Sequence, residues 1–292
     1  MDDALNLRPP RAAPGRLEGC PAPAKLNLFL HVVGRRADGY HLLQSAFRLL
    51  DWGDTLDFAV RDDGEIRRVG DVPGVAAADD LTVRAAHALR AASGCTLGVD
   101  IVLHKNLPMG GGLGGGSSDA ATTLMALDRL WGTALGSARL AEIAVGLGAD
   151  VPFFVFGRDA FAEGVGERLQ EVDIPPAWYV VVAPPVVVPT ARIFTAPNLT
   201  RNTPPVKVRG FTLGRTRNDL QPVACALYPE VGEALSWLES FAPTRMTGSG
   251  ACVFATLETE AEAREIASRC PSRWRAWAAA SLARHPMLGM AT

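Results

Sequence analysis

"NLPMGGGLGGGSSDAATTLMAL" occupies residues 106–127, and six of the seven residues from Gly110 to Gly116 are glycine. Inside a regular element each glycine costs roughly 0.5–1 kcal/mol relative to alanine, so a run this dense implies that the missing Cβ atoms serve a purpose. A flexible linker would be glycine-rich too. Here, however, the run stops at Ser117 and Ser118, residue types that cap helices, and Ala120, Ala121, Leu124, Leu127 and Trp131 follow at helical spacing. Gly110, Gly112 and Gly115 fit the G-x-G-x-x-G dinucleotide pattern, but that pattern requires a second strand ending in an acid about 20 positions on. At that distance the chain reads "LGSARLAEIAVGLG", which is helical. A P-loop would need lysine where Gly116 or Ser117 stands. The physics common to all such loops remains: bare backbone N–H groups converge on an anion, and a helix starting at Ser117 or Ser118 adds its free N–H groups and positive dipole end. Phosphate is the expected guest. Asp119 in the first turn would favour the dipole but repel a phosphate, so it is expected to point away or to meet the phosphates across a cation.

Upstream, "AKLNLFLHV" alternates, with Ala24, Leu26, Leu28, Leu30 and Val32 on one face and Lys25, Asn27, Phe29 and His31 on the other. This predicts a strand from about Pro21, then a turn at Asp38-Gly39 and further strand through "YHLLQSAFRLLDWGDTLDFAV". Leu81–Ala92 reads as a helix and "CTLGVDIVLHK" as the strand leading into the glycine run. Downstream, Ala138–Leu147 reads as a helix and "ADVPFFVFG" as a short apolar strand or loop. "EVDIPP" reads as a linker into the strand "WYVVVAPPVVVPT", followed by short helices between Asn218 and Ser240 and the strand "ACVFATL". A helix opened by a Thr259–Glu262 capping box and a last strand near "WRAWAAA" complete an α+β pattern in two halves, 21–172 and 173–285.

The chain has 292 residues, enough for two ordinary domains, and a 48% apolar share that can fill real cores. A net charge of −2 offers no general attraction to nucleic acid or anionic lipid, so phosphate recognition must be local. No apolar run reaches the ~18 residues that would suggest a membrane span. Five scattered cysteines without a C-x-x-C pair suit a reducing cytoplasm, and the five histidines form no H-E-x-x-H zinc motif. The first twenty residues lack the apolar stretch of a signal peptide and read as a loose tail.

Three motifs in order carry a family resemblance. "PMGGGLGGGSSDAA" resembles the phosphate loop of the GHMP small-molecule kinases, "PAKLNLFL" their first motif, and "TGSGACVFA" from Thr247 their third. A narrower match, to the members that act on a cytidine substrate, rests on "AKLNLFLHVVGRRADGYHLLQSAF", "LGADVPFF", "FAEGVGE" and "TGSGACVF", and spans roughly Pro21 to Ala255. Asp119 departs mildly, since relatives often carry Asn there. The resemblance implies a ribosomal S5 domain 2-like N-terminal domain and a ferredoxin-like C-terminal domain with substrate between them. It implies ATP-dependent phosphorylation of the 2-hydroxyl of 4-diphosphocytidyl-2-C-methyl-D-erythritol, a step of non-mevalonate isoprenoid synthesis. A homoserine or mevalonate-type kinase of the same family is the alternative; neither of those acceptors carries a cytosine.

The resemblance also assigns roles. Asp150 becomes the base for the acceptor hydroxyl, with Lys25 beside it and Asn27 orienting substrate. Chemistry agrees in part: desolvation among Leu147, Val151, Phe153 and Phe154 would disfavour a carboxylate, which a lysine within about 4–6 Å would restore. An Asp before Val-Pro could equally be a cap, and a strand lysine merely solvated. Tyr40 and Phe194 are assigned to stack on cytosine, His41 to hydrogen-bond its edge, and Thr190 to lie close by; read alone, these are core aromatics and a satisfied histidine. ATP phosphates fall to Pro108, Met109, Gly110, Gly111, Gly112, Leu113, Gly114, Gly115, Gly116, Ser117 and Ser118, with Lys105 near the adenine side and Leu81 against the purine. Thr247–Gly250 would seal the phosphate loop. Mg²⁺ is expected with ATP, without a dedicated protein cage.

Overall fold

The sheet begins earlier than the alternation at Pro21 suggests. The computed structural model describes residues 7–208 and 213–288. In it β1 (Arg11–Ala13) pairs antiparallel with the start of β2 (Arg16–Arg35), and Leu17 and Cys20 are buried. The loose tail expected over the first twenty residues is therefore corrected from Arg11 onward, because two apolar side chains reach the core; residues 1–6 lie outside the described ones. After a turn in which Gly39 takes φ +91°, β3 (His41–Arg61) runs back along β2 for almost its whole length.

β4 (Ile66–Val69) leads to α1 (Leu81–Ser93), whose N-cap Asp80 accepts from Thr82 N at 2.8 Å and whose end is set by Gly94 at φ +70°. β5 (Gly98–His104) pairs with β3 and β4 and delivers the chain into the glycine run. α2 (Gly115–Leu130) follows. Every residue from Ser118 to Leu127 is buried, so this is a central helix closed in on all sides rather than a surface helix with one apolar stripe. Its Ala and Thr side chains admit that close approach, and Thr122 Oγ1 donates to the Pro21 carbonyl at 2.9 Å.

α3 (Gly136–Val145) precedes α4 (Val151–Phe156), where a strand or loop was expected. All of Val151–Val155 is buried, so no 3.6-residue period shows in the sequence; Pro152 in the first turn and Gly157 at φ +66° set the ends. β6 (Ala160–Gly164) and β7 (Arg168–Glu171) extend the sheet from β3.

The second half runs through β8 (Trp178–Ala183), α5 (Thr190–Thr195), α6 (Gln221–Leu227), α7 (Pro229–Glu239), β9 (Thr244–Met246), β10 (Val253–Leu257), α8 (Glu260–Ser268) and β11 (Arg275–Leu282). The expected capping box of Thr259 and Glu262 is present at α8. Antiparallel order β11-β8-β10-β9, with α7 between β8 and β9 and α8 between β10 and β11, is a ferredoxin-like β-α-β-β-α-β unit. β11 also pairs with β3 through Ser281–Leu50 and Leu282–Leu49, which makes one 11-stranded sheet.

Three clusters of buried apolar side chains follow. One surrounds α2 with Phe58, Ile101 and Phe153, and another packs α7 and α8 on β8–β10 through Leu238, Ile266 and Val180. The third joins Leu26, Leu28 and Trp52 of the first half to Val181 and Phe254 of the second. At about 1.5–3 kcal/mol per large apolar side chain, the shared cluster fixes how the halves meet. Beyond β11, His285 is fully enclosed: its N–H donates to Gly157 O at 2.8 Å and its Nδ1 accepts from Met287 N at 3.2 Å.

Candidate active site

The glycine run lies between two cavities. One of about 790 Å³ contains Lys25, Asn27 and Asp150, and one of about 420 Å³ contains Leu81, Lys105 and Pro108; Gly110, Gly112, Gly114 and Ser117 line both. Gly110, Gly112 and Gly114 adopt φ of +68°, +75° and +74°. A Cβ on Gly112 would stand 2.3 Å from Thr247 O, and one on Gly114 would stand 2.8 Å from the Phe154 ring, so these glycines are required by the loop's own packing. Gly116 differs. Its Cβ would meet only Leu81 Cδ1 at 3.6 Å, and its φ is ordinary, so the protein itself leaves room for a side chain there.

α2 starts at Gly115 with Gly114 as N-cap and no side-chain cap, which corrects the assignment of Ser117 and Ser118 as caps. Three left-handed glycines at alternate positions, Gly110, Gly112 and Gly114, carry the backbone into the helix without one. The first-turn N–H groups therefore have no capping oxygen and face the loop. Ser118 is buried and its hydroxyl has no partner among the described residues, while Ser117 opens to both cavities.

Asp119 is turned to a cation. Its Oδ2 accepts from Lys105 Nζ at 2.9 Å, and Lys105 also pairs with Asp54. Burial, reinforced by the charge of Asp54, raises the Asp119 pKa well above the usual carboxylate value. Burial works against charge on Lys105, but the two carboxylates more than offset it and its pKa is raised. Asp54, absent from the sequence expectations, also accepts from the N–H groups of Asn106 (2.6 Å) and Leu107 (2.8 Å), so it holds the loop's entry. Its signal is a polar residue on the face occupied by Trp52, Leu56 and Phe58, all buried.

On the other side of the loop Lys25, buried on β2, places Nζ 3.3 Å from Asp150 Oδ2 and also donates to Asn27 Oδ1. Phe47 lies under the ammonium at 5.3 Å. Asp150 occupies the N-cap position of α4 but makes no capping bond. Its side chain is 32% exposed and lines the larger cavity, so the enclosure by Phe153 and Phe154 expected from sequence is corrected: those rings point into the core.

The loop is braced from both halves. Lys25 N donates to Leu113 O at 2.9 Å, and Cys252 N to Gly111 O at 3.1 Å. Thr247 Oγ1 accepts from Asn27 N at 2.9 Å and donates to Gly112 O at 3.3 Å. Asn27 Nδ2 donates to Ser45 Oγ at 2.8 Å, fixing the amide. The TGSG segment, Thr247–Gly250, thus seats directly on the glycine loop.

At the far end of the larger cavity, the rings of His41 and Phe194 lie 5.0 Å apart at 34°. Tyr40, 65% exposed, stands on the rim, and Thr190 Oγ1 is 2.8 Å from Ser249 Oγ. The His41 pKa is lowered by burial first, then by the charges of Arg201 and Arg35. Ser249 belongs to the TGSG segment that the sequence marks, whereas Arg201 carries no local sequence signal that singles it out.

Two anion-ready cavities meeting at a braced glycine loop, with a lysine–aspartate pair at the junction, suit transfer of a phosphoryl group between two small molecules. Comparison with known proteins gives the lineage. The GHMP kinases N terminal domain matches residues 80–158 and the GHMP kinases C terminal domain residues 211–276. The 4-diphosphocytidyl-2-C-methyl-D-erythritol kinase of Azoarcus sp. (strain BH72) is 66% identical over 276 residues, covering 94% of this chain and 98% of its own. The chain belongs to the GHMP kinase family. This GHMP kinase also resembles a crystal structure of 4-(cytidine 5'-diphospho)-2C-methyl-D-erythritol kinase, with TM-score 0.76, 36% identity, and 89% and 98% of the two chains covered. Homoserine kinase from Cytophaga hutchinsonii shares the fold, at TM-score 0.70 and 16% identity over 94% and 97% of the chains. GHMP kinases use ATP as phosphate donor.

Proposed function

We propose that this kinase transfers the γ-phosphoryl group of ATP to the 2-hydroxyl of 4-diphosphocytidyl-2-C-methyl-D-erythritol. The observation that carries the reading is the Lys25–Asp150 pair, 3.3 Å apart, in a cavity that continues to the His41–Phe194 ring pair. The high identity to relatives bearing that name supports it. The nucleotide lies on the Leu81 and Lys105 side of the loop, its triphosphate against the N–H groups from Gly110 to Ser117, while the Ser118 N–H donates to Gly114 O at 2.8 Å. The cradle fits: the glycines give it bare backbone, and Gly116 lacks a side chain that protein packing alone would allow.

In the reaction the acceptor oxygen bonds to the γ-phosphorus, the bridging P–O bond breaks, and ADP leaves. Asp150 takes the hydroxyl proton. Lys25, committed to Asp150 and Asn27, holds the carboxylate toward the acceptor and offsets charge building on the transferred group. Catalysis of this kind is mainly positioning and charge stabilisation, and the braces from Thr247, Cys252 and Asp54 supply the rigidity it needs. Mg²⁺ bound to the triphosphate would neutralise charge on the β- and γ-oxygens. Asp119 is already held by Lys105, and among the described residues no group of three His, Cys, Asp or Glu side chains is placed to hold an ion.

We assign nucleotide binding to residues 21–172 and much of the substrate contact to 173–285, the latter through Thr190, Phe194 and the TGSG seal. A cytoplasmic small-molecule enzyme without nucleic-acid or membrane partners is in keeping with the net charge of −2. Among the described residues no helix is long and apolar enough to cross a membrane. Purified enzyme assayed with ATP and three acceptors tests the reading. Phosphorylation of the cytidine substrate and neither homoserine nor mevalonate is expected; preference for either of the others overturns it.

A further inference from the structure

Arg201 lies outside the residues that sequence or chemistry marks, yet it touches both walls of the base-sized end of the cavity. Its Nε–H donates to His41 Nε2 at 3.1 Å. Its other nitrogens donate to Leu199 O at 3.0 Å, Phe194 O at 3.0 Å and Ala196 O at 2.7 Å, all at the end of α5 and just beyond it. Four bonds hold the planar guanidinium in one orientation, so its approach to the imidazole is fixed.

A guanidinium has donors only and does not lose its proton in proteins. The histidine nitrogen it meets must therefore present a lone pair. A neutral imidazole carries one N–H, which then sits on Nδ1. Among the described residues Nδ1 has no protein partner, and His41 lines the 790 Å³ cavity. The half-burial of the ring and the charges of Arg201 and Arg35 keep it neutral.

We propose that Arg201 is a positioning residue that locks His41 as the Nδ1–H tautomer, so that the cavity offers a hydrogen-bond donor to the edge of a flat base. Such a donor accepts a ring nitrogen bearing a lone pair, as cytosine has at N3. Uracil has N–H at the same position, and two donors would face each other with neither satisfied. A site built around one hydrogen bond rejects an analogue that cannot make it far more strongly than an apolar pocket rejects a size change, so discrimination on the order of 100-fold or more follows. The tautomer itself follows from the geometry of the free protein. Its consequence for a cytidine substrate rests on the function proposed above.

The experiment has two arms. Long-range ¹H–¹⁵N correlation spectra of the free wild-type protein at pH 7.5, with the His41 signals assigned by their loss in His41→Gln, should show protonated Nδ1 and bare Nε2. A bare Nδ1 or a doubly protonated ring overturns the proposal, and this arm needs neither substrate nor a folded Arg201 variant. In the second arm, Arg201→Met should raise KM for the cytidine substrate about tenfold, more than it lowers kcat. It should also cut the preference over the uridine analogue at least tenfold, with Arg201→Lys recovering part of both. An unchanged cytidine-to-uridine ratio in folded Arg201→Met overturns the proposal. Failure to phosphorylate either nucleotide substrate strikes the assigned function while leaving the spectroscopic arm to decide the tautomer.

Discussion

Lys25 Nζ stands 3.3 Å from Asp150 Oδ2, with the lysine buried and the carboxylate open to the larger cavity. The lysine reaches across from β2 to the start of α4, and Leu113 O accepts from its backbone N–H, so one residue ties the Asp150 carboxylate to the glycine loop.

Asp150→Ala is expected to lose about 10²–10⁴-fold in kcat, the range of a positioned acid–base group, while keeping nucleotide affinity. Steady-state kinetics beside calorimetric titration of a non-hydrolysable ATP analogue separates the two. Unchanged turnover removes Asp150 from the mechanism.

Two glycines of the loop should respond in opposite directions. Gly112→Ala forces a Cβ at φ +75° to within 2.3 Å of Thr247 O, so a loss of about 1–3 kcal/mol is expected in denaturant unfolding. Gly116→Ala introduces only an ordinary contact within a helix and should stabilise the free protein by about 0.4–1 kcal/mol. The same substitution should raise KM for ATP, since the methyl group occupies the approach to the first-turn N–H groups. A destabilised Gly116→Ala with unaltered KM would contradict both halves of the argument.

Asp119 has a folded-state pKa above its unfolded value, which means that the fold favours its neutral form. The stabilising contribution is full below the unfolded pKa near 3.8 and is lost as pH rises through the folded value. At pH 8 the unfolded chain ionises Asp119 freely, whereas in the fold burial and the neighbouring Asp54 disfavour that charge. Asp119→Asn, neutral at every pH, should be more stable than wild type at pH 8 by roughly 1 kcal/mol, with the gap narrowing toward pH 4. Unfolding midpoints at several pH values check this.

His285 behaves in the reverse sense. Full burial pushes its pKa down to about 3 from 6.5, so the unfolded chain takes up a proton that the folded one refuses. Stability should fall as pH drops from about 6.5 toward 3, by up to ~1.4 kcal/mol per pH unit from this group. His285→Asn removes that slope whatever it does to stability at pH 7. Parallel wild-type and variant curves between pH 6.5 and 4.5 would show that the ring is not sealed.

Alternation made β2 legible as a strand but misplaced its faces beyond Asn27. A bulge before Phe29 turns the strand over, so that Leu30 joins Lys25 and Asn27 on the cavity wall and Phe29 packs with Leu26 and Leu28. The glycine run announced itself through composition. α4 was not legible as a helix, since Val151–Val155 are buried on every side and leave no polar face to mark a period. β4, β6, β7 and β9 are short strands whose place depends on what they pair with, and sequence spacing does not report pairing. The same holds within the site. Lys25, Asn27 and the loop sit in motifs that can be read locally. Asp54 and Arg201 act through backbone groups and a histidine distant in the chain, and only folding brings those together.

β11 is bonded to β8 on one side and to β3 on the other. A growing polypeptide halted before Arg275 would carry open edges on both neighbours, each a template for unwanted pairing. Thr247 and Cys252, which steady the glycine loop, flank the turn between β9 and β10, two strands of the sheet that this strand fastens down. During synthesis, then, Lys25 and Asp150 emerge early, but the centre they form acquires its final support only when the closing strand leaves the ribosome.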